Sequence, residues 1–167
     1  NGTVNCTMKG NNFVRLKRTG FTLNKNETIN AEISSNNINN STSPAFLYSR
    51  AIDIVEANAP TSALYKINGV NRFTMVWQGI RTMLTYSTII ENNRIILHTN
   101  TTPNVFTVNN APYNLGIDIV ACEAPQVNEN EISNTNNGFT WWEHGIGINT
   151  TRNGSYYCND VKGTFSS

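Results

Sequence analysis

The chain has 167 residues, a formal net charge of +1 and charged side chains at 14% of positions. It fits one domain, lacks the basic excess of a nucleic-acid binder, and holds no apolar run near the roughly 18 residues of a membrane-spanning helix. Its 29 asparagines and 31 serines and threonines make neutral amides and hydroxyls the solubilising groups, while 38% hydrophobic residues in strand-sized packets argue for a folded domain and against a disordered tract.

Along the chain the dominant period is two, the mark of half-buried strands. Val14 and Leu16 alternate with Arg15 and Lys17, and Ile29, Ala31 and Ile33 with Asn30 and Glu32. Residues 46–48 are a further strand candidate, and residues 49–59 read equally as a short helix, ended by Pro60, or as a strand. Asn68-Gly69 lies between two alternating runs and predicts a β-hairpin, with Phe73, Met75 and Trp77 facing inward. A second hairpin is expected around residues 91–94. Strands are also expected at residues 104–108, 116–122, 139–142 and 155–158. No internal repeat is evident. Some ten short strands with turn signals between them predict an all-β, antiparallel two-sheet β-sandwich, of jelly-roll or immunoglobulin-like type, with little helix, spanning residues 1–167 as one domain.

Eight asparagines stand in Asn-x-Ser/Thr sites: Asn1, Asn5, Asn26, Asn39, Asn40, Asn100, Asn149 and Asn153. If glycosylated, they belong on the surface of an exported protein. Chance in a chain this rich in Asn, Ser and Thr supplies about five such sites, so the excess is small. The cysteines Cys6, Cys122 and Cys158 have spacings of 116 and 36 residues, which match no metal motif. In an oxidising compartment one disulfide and one odd thiol are expected. Cys122–Cys158 is the favoured pair, worth roughly 3–4 kcal/mol, and Cys6–Cys158 the rival.

Catalytic patterns are thin. His98 ends a strand-like run, Glu143-His144 lacks the second histidine of a zinc helix, and neither a nucleophile elbow nor a phosphate loop is found. No metal or cofactor is expected, and the chain reads as a non-enzyme. Trp141 and Trp142 are more telling, because neighbours on a strand point to opposite faces and one indole is then turned outward. With Glu143, His144, Asn136 and Asn137 beside it, that ring has the surroundings of a sugar site, where an indole stacks on a pyranose and amides and carboxylates take its hydroxyls. The competing reading buries both rings in the core.

The run Gly154-Ser155-Tyr156-Tyr157-Cys158 resembles the F-strand of immunoglobulin-like domains, although Arg152 stands where that strand has an acidic residue. The resemblance covers five residues, departs from the pattern in that Cys122 stands too close to be its partner cysteine, and implies an immunoglobulin-type topology. The function expected is extracellular recognition or attachment, at a cell or virion surface, as in a fimbrial tip domain or a viral attachment glycoprotein. Its partner would be a cell-surface glycan or glycoprotein receptor, with no nucleic acid. The alternative is a self-assembling structural subunit of a glycosylated extracellular filament.

Overall fold

A computed structural model describes residues 4–14, 19–24, 29–40, 50–55, 63–76, 78–97, 107–108, 111–112, 114–134 and 143–162. The chain winds in successive coils, each passing through three sheets in the same order. The first coil consists of β1 (Val4–Lys9), β2 (Asn12–Val14) and β3 (Thr19–Asn24). The second contains β4 (Ile29–Ser34), β5 (Asn37–Asn39) and β6 (Arg50–Val55), the third β7 (Leu64–Asn68), β8 (Arg72–Val76) and β9 (Gln78–Met83). The fourth runs through β10 (Ser87–Glu91) and β11 (Arg94–Leu97), then a short pair, β12 (Thr107–Val108) and β13 (Ala111–Pro112), before β14 (Asn114–Val120). The fifth holds β15 (Gln126–Asn128), β16 (Glu131–Asn134) and β17 (Glu143–Asn149), and a sixth begins with β18 (Ser155–Tyr157) and β19 (Asp160–Lys162).

Equivalent strands stack side by side into sheet A (β1-β4-β7-β10-β15-β18), sheet B (β2-β5-β8-β11-β16-β19) and sheet C (β3-β6-β9-β14-β17). Every pairing within the three sheets is parallel, and the only antiparallel ladder among the described residues is the β12–β13 pair outside them. The molecule is all-β, but it is a three-sided parallel β-solenoid, and the antiparallel two-sheet sandwich is overturned.

The two expected hairpins fail for the same reason. β7 and β8 lie in different sheets, as do β10 and β11, so Asn68-Gly69 and Asn92-Asn93 are corners joining strands that never pair. Residues 50–55 form β6 and no helix. β18 pairs in parallel with β15, which excludes an immunoglobulin-type F-strand. Of the residues expected inward along β8, Phe73 is fully buried. The register then shifts so that Leu97 pairs with Val76, which is also buried. Trp77 and the side chain of Met75 lie outside the described residues.

The solenoid is held by columns of like residues running across the coils. Sheet A stacks Met8, Ile33, Ile67, Ile90, Val127 and Tyr156 inward. Sheet B stacks Phe13, Ile38, Phe73, Ile95, Ile132 and Val161. Sheet C stacks Phe21, Ile52, Ile80, Ile117 and Ile146. The interior members are almost all fully buried, each contributing about 1.5–3 kcal/mol through the apolar surface it removes from water. Isoleucine suits the task, since a β-branched side chain packs well on a pleated face.

One residue earlier in every sheet C strand stands a small residue: Gly20, Ala51, Gly79, Gly116 and Gly145. A Cβ on Gly116 would lie 2.5 Å from the Gly145 carbonyl oxygen and 2.6 Å from Ile132 Cγ2. The small column thus lets sheet C close against the isoleucines of sheet B.

The corner between sheets A and B ends on the same two-residue pattern in all six coils. A residue with positive φ (Gly10, Ser35, Val70, Asn92, Glu129 or Cys158) turns the chain. An asparagine follows, giving Asn11, Asn36, Asn71, Asn93, Asn130 and Asn159. Each carboxamide Nδ2 donates to the Oδ1 of the next, at 2.9, 3.0, 2.8, 3.0 and 2.9 Å in order. Asn36, Asn71, Asn93 and Asn130 are at most 2% exposed, and their amides also satisfy backbone carbonyls that the corner would otherwise orphan.

The cysteine pairing is also corrected. Cys6, Cys122 and Cys158 are all free thiols. Cys122 is buried after β14, in the corner leading to sheet A, whereas Cys158 is exposed in the corner between sheets A and B. Strand β18 runs between those two corners. The Cys122 thiol instead accepts from Thr85 Oγ1 at 3.1 Å and lies 3.3 Å from the Val120 carbonyl oxygen, to which it donates.

Candidate functional site

The three corners of the solenoid differ in what they tolerate. Between sheets A and B only one or two residues precede the asparagine, because each ladder amide must meet its neighbour. Between sheets B and C the connection ranges from residue 77 alone to residues 40–49, 135–142 and 98–113. In a stacked-repeat fold such insertions leave the core intact and gather on one face, often the binding face.

Trp141, Trp142, Asn136 and Asn137 belong to segment 135–142 and lie outside the described residues. Glu143 and His144 open β17, where their backbones pair with Asn114 and Leu115. His144 therefore joins a row that crosses sheet C through Leu115, Gln78 and Arg50. Glu143 and His144 thus stand at the entrance to sheet C, after the connection whose length varies most.

Further along sheet C runs an outward row that sequence reasoning missed: Thr22, Asp53, Arg81, Asp118 and Gly147, one from each coil. Asp53 falls between buried Ile52 and Ile54 and Asp118 between buried Ile117 and Ile119, so the row's direction follows from strand alternation. Arg81 donates to Asp53 through Nε at 2.7 Å and a terminal nitrogen at 3.0 Å. Arg50 donates to Asp53 at 2.5 Å and to Gln78 Oε1 at 2.6 Å. Burial pulls the Arg50 guanidinium below its ordinary value, partly opposed by the adjacent Asp53 carboxylate.

Asp53 and Asp118 stand two strands apart, about 9.5 Å at the usual strand spacing. That separation is near the range of an inverting glycosidase pair. Arg81 stands between them in the row, and both Asp53 oxygens are taken by guanidinium donors. The cluster is a fixed polar platform, not a free acid–base pair.

Among the described residues no group of three or more His, Cys, Asp or Glu is placed to hold a metal ion, and no helix is long and apolar enough to cross a membrane. Of the sequon asparagines, Asn5, Asn149 and Asn153 are exposed and Asn39 is half-buried. Asn40 is 2% exposed with its backbone N–H bonded to the Thr74 carbonyl, so it is removed from the glycosylation candidates. Asn1, Asn26 and Asn100 lie outside the described residues. Family models, curated proteins and solved structures yield no match to this chain.

Proposed function

We propose that the chain is a non-catalytic extracellular recognition module that attaches to carbohydrate through the segments inserted between sheets B and C. Trp141 and Trp142 immediately precede β17 in the chain. One observation carries this reading: the core columns run from coil to coil, while the two longest connections, residues 98–113 and 40–49, both fall at the corner that leads into sheet C. Exposed Asn5, Asn149 and Asn153 support an exported location.

The test uses Trp141→Ala and Trp142→Ala, made separately, with melting temperature and binding to a glycan array measured for each. A stacked ring contributes about 1–3 kcal/mol at other aromatic platforms, or roughly 5- to 150-fold in affinity. The expected outcome is one variant that melts like the parent and loses binding in that range. A parent that binds no glycan, or two variants that bind as the parent does, would refute the reading.

A further inference from the structure

The corner of the third coil departs from the other five. After β7 two residues, Gly69 and Val70, precede the ladder asparagine, where every other corner has one. Gly69 has φ +67, and Val70, a β-branched residue, is held at φ 61 while 51% exposed. Valine is disfavoured in this conformation, which the corners of the other five coils give to Gly10, Ser35, Asn92, Glu129 and Cys158. A depression of about 460 Å³ lies at this corner, lined by Ser35, Asn36, Asn37, Gly69, Val70 and Arg72.

Arg72, the charged residue lining the depression, has no opposite charge paired with it among the described residues. Along the outer face of sheet B one row reads Asn12, Asn37, Arg72, Arg94, Glu131, Asp160. Arg72 and Arg94 are direct register partners, and like charges in that relation destabilise a sheet. Arg94 is paired with Glu131 at 3.2 Å, but the Arg72 guanidinium makes no ion pair among the described residues. A guanidinium beside a carboxamide, next to an exposed apolar side chain, matches the needs of an acidic sugar: charge for the anion, an amide for hydroxyls, and an apolar wall for the ring face.

We infer that the third-coil corner, through Arg72 and Arg94 with Asn37 and Val70, is a subsite for a carboxylate or sulfate group on a glycan. It deepens the carbohydrate-binding reading and rests on it. The charge order also sets direction. Glu131 and Asp160 repel an acidic polymer, so the ligand extends from the two arginines toward Asn37 and Asn12.

The experiment measures binding of the full chain to a hyaluronan oligosaccharide (carboxylate), a dextran-sulfate oligosaccharide (sulfate), a neutral cello-oligosaccharide of equal length, and poly-glutamate. Variants are Arg72→Gln and Arg94→Gln, with Lys66→Gln on sheet A as control. One or both acidic glycans should bind in a salt-sensitive way, and whichever binds identifies the anion. Arg72→Gln should weaken that binding about tenfold, and Lys66→Gln should leave it unchanged. Arg72→Gln should melt no lower than the parent, since it removes a like-charge contact. Neutral and acidic glycans binding alike, with Arg72→Gln silent, would overturn the subsite and leave the broader reading standing. No glycan binding at all would remove both. Poly-glutamate binding as tightly as the sugars, and lost in Arg72→Gln, would overturn the glycan assignment.

Discussion

Asn71→Ala should be among the most damaging single changes outside the aliphatic columns. The Asn71 carboxamide is fully buried. Its oxygen accepts from the Asn36 backbone N–H at 2.9 Å and from Asn36 Nδ2 at 3.0 Å. Its nitrogen donates to the carbonyls of Ile33 and Asn68 and to Asn93 Oδ1, at 2.9, 3.0 and 2.8 Å. Alanine leaves a backbone N–H and several acceptors unmet, in a place too tight for bulk water. Each such group costs about 1–3 kcal/mol. Partial relief through remaining partners, such as the bond from Asn36 Nδ2 to the Met8 carbonyl, brings the sum to about 3–5 kcal/mol. In a chain of this length that lowers the melting temperature by roughly 10–15 °C. Asn11→Ala is the matched control, because Asn11 is exposed and its carboxamide donates to Asn36 Oδ1, while its backbone bonds are kept by alanine. It should cost less than about 1 kcal/mol. Asn71→Asp should resemble Asn71→Ala, since a carboxylate can accept from Asn36 but meets three acceptors with nothing to donate. Thermal and denaturant melts followed by circular dichroism provide the measurement. Equal shifts for Asn71→Ala and Asn11→Ala would refute the view that the ladder's buried amides hold the corners.

Three further expectations follow from the same geometry. Gly116→Ala should destabilise by several kcal/mol, because the new methyl meets a backbone oxygen at 2.5 Å, whereas Gly10→Ala, with nothing within 4 Å but φ +69, should cost only about 1–2 kcal/mol; paired chemical melts decide. Maleimide labelling should modify exposed Cys158 first, half-buried Cys6 more slowly and Cys122 only on unfolding, and a fast-reacting Cys122 would contradict its burial. The Tyr156 phenol is pushed above its ordinary value by burial and then by neighbouring Cys122, so its share of stability is present below about pH 10 and is lost as pH rises past it. Tyr156→Phe should relieve part of that alkaline loss at no cost near neutrality, where the buried hydroxyl has no partner, and an unchanged alkaline midpoint would count against it.

Strand alternation was legible in the sequence because it is local. Ala31 and Ile33 are buried as their spacing predicts, and Phe73 likewise. Partner choice was not legible, because alternation says which face is apolar and nothing about which strand lies alongside. Asn-Gly between two alternating runs has the same local chemistry at a hairpin and at a solenoid corner, since both need a residue of positive φ. The repeat itself was hidden by its uneven period. The motif of an asparagine, one polar residue and an inward apolar residue recurs at Asn11-Asn12-Phe13, Asn36-Asn37-Ile38, Asn71-Arg72-Phe73, Asn93-Arg94-Ile95, Asn130-Glu131-Ile132 and Asn159-Asp160-Val161. Read against the small residue that precedes Phe21, Ile52, Ile80, Ile117 and Ile146, it marks every coil. Of the candidate site, Glu143 and His144 are neighbours in sequence and could be named from it. The Asp53–Arg81–Asp118 row and the Arg72–Arg94 pair were not, because each forms only when separate coils come into register.

The tolerance of the corner between sheets B and C bears on how such a chain can evolve. Successive ladder asparagines are 22 residues apart from Asn71 to Asn93 and 37 from Asn93 to Asn130, yet both coils close onto their neighbours in the same way. The entropy of closing a loop grows only with the logarithm of its length, so the longer coil costs about 0.5 kcal/mol more. Insertions and deletions at this corner are therefore nearly silent in the free energy of folding while they change which side chains meet solvent. Scaffold and recognition surface can drift independently, so two chains of this architecture could share every column of the core and have no common loop.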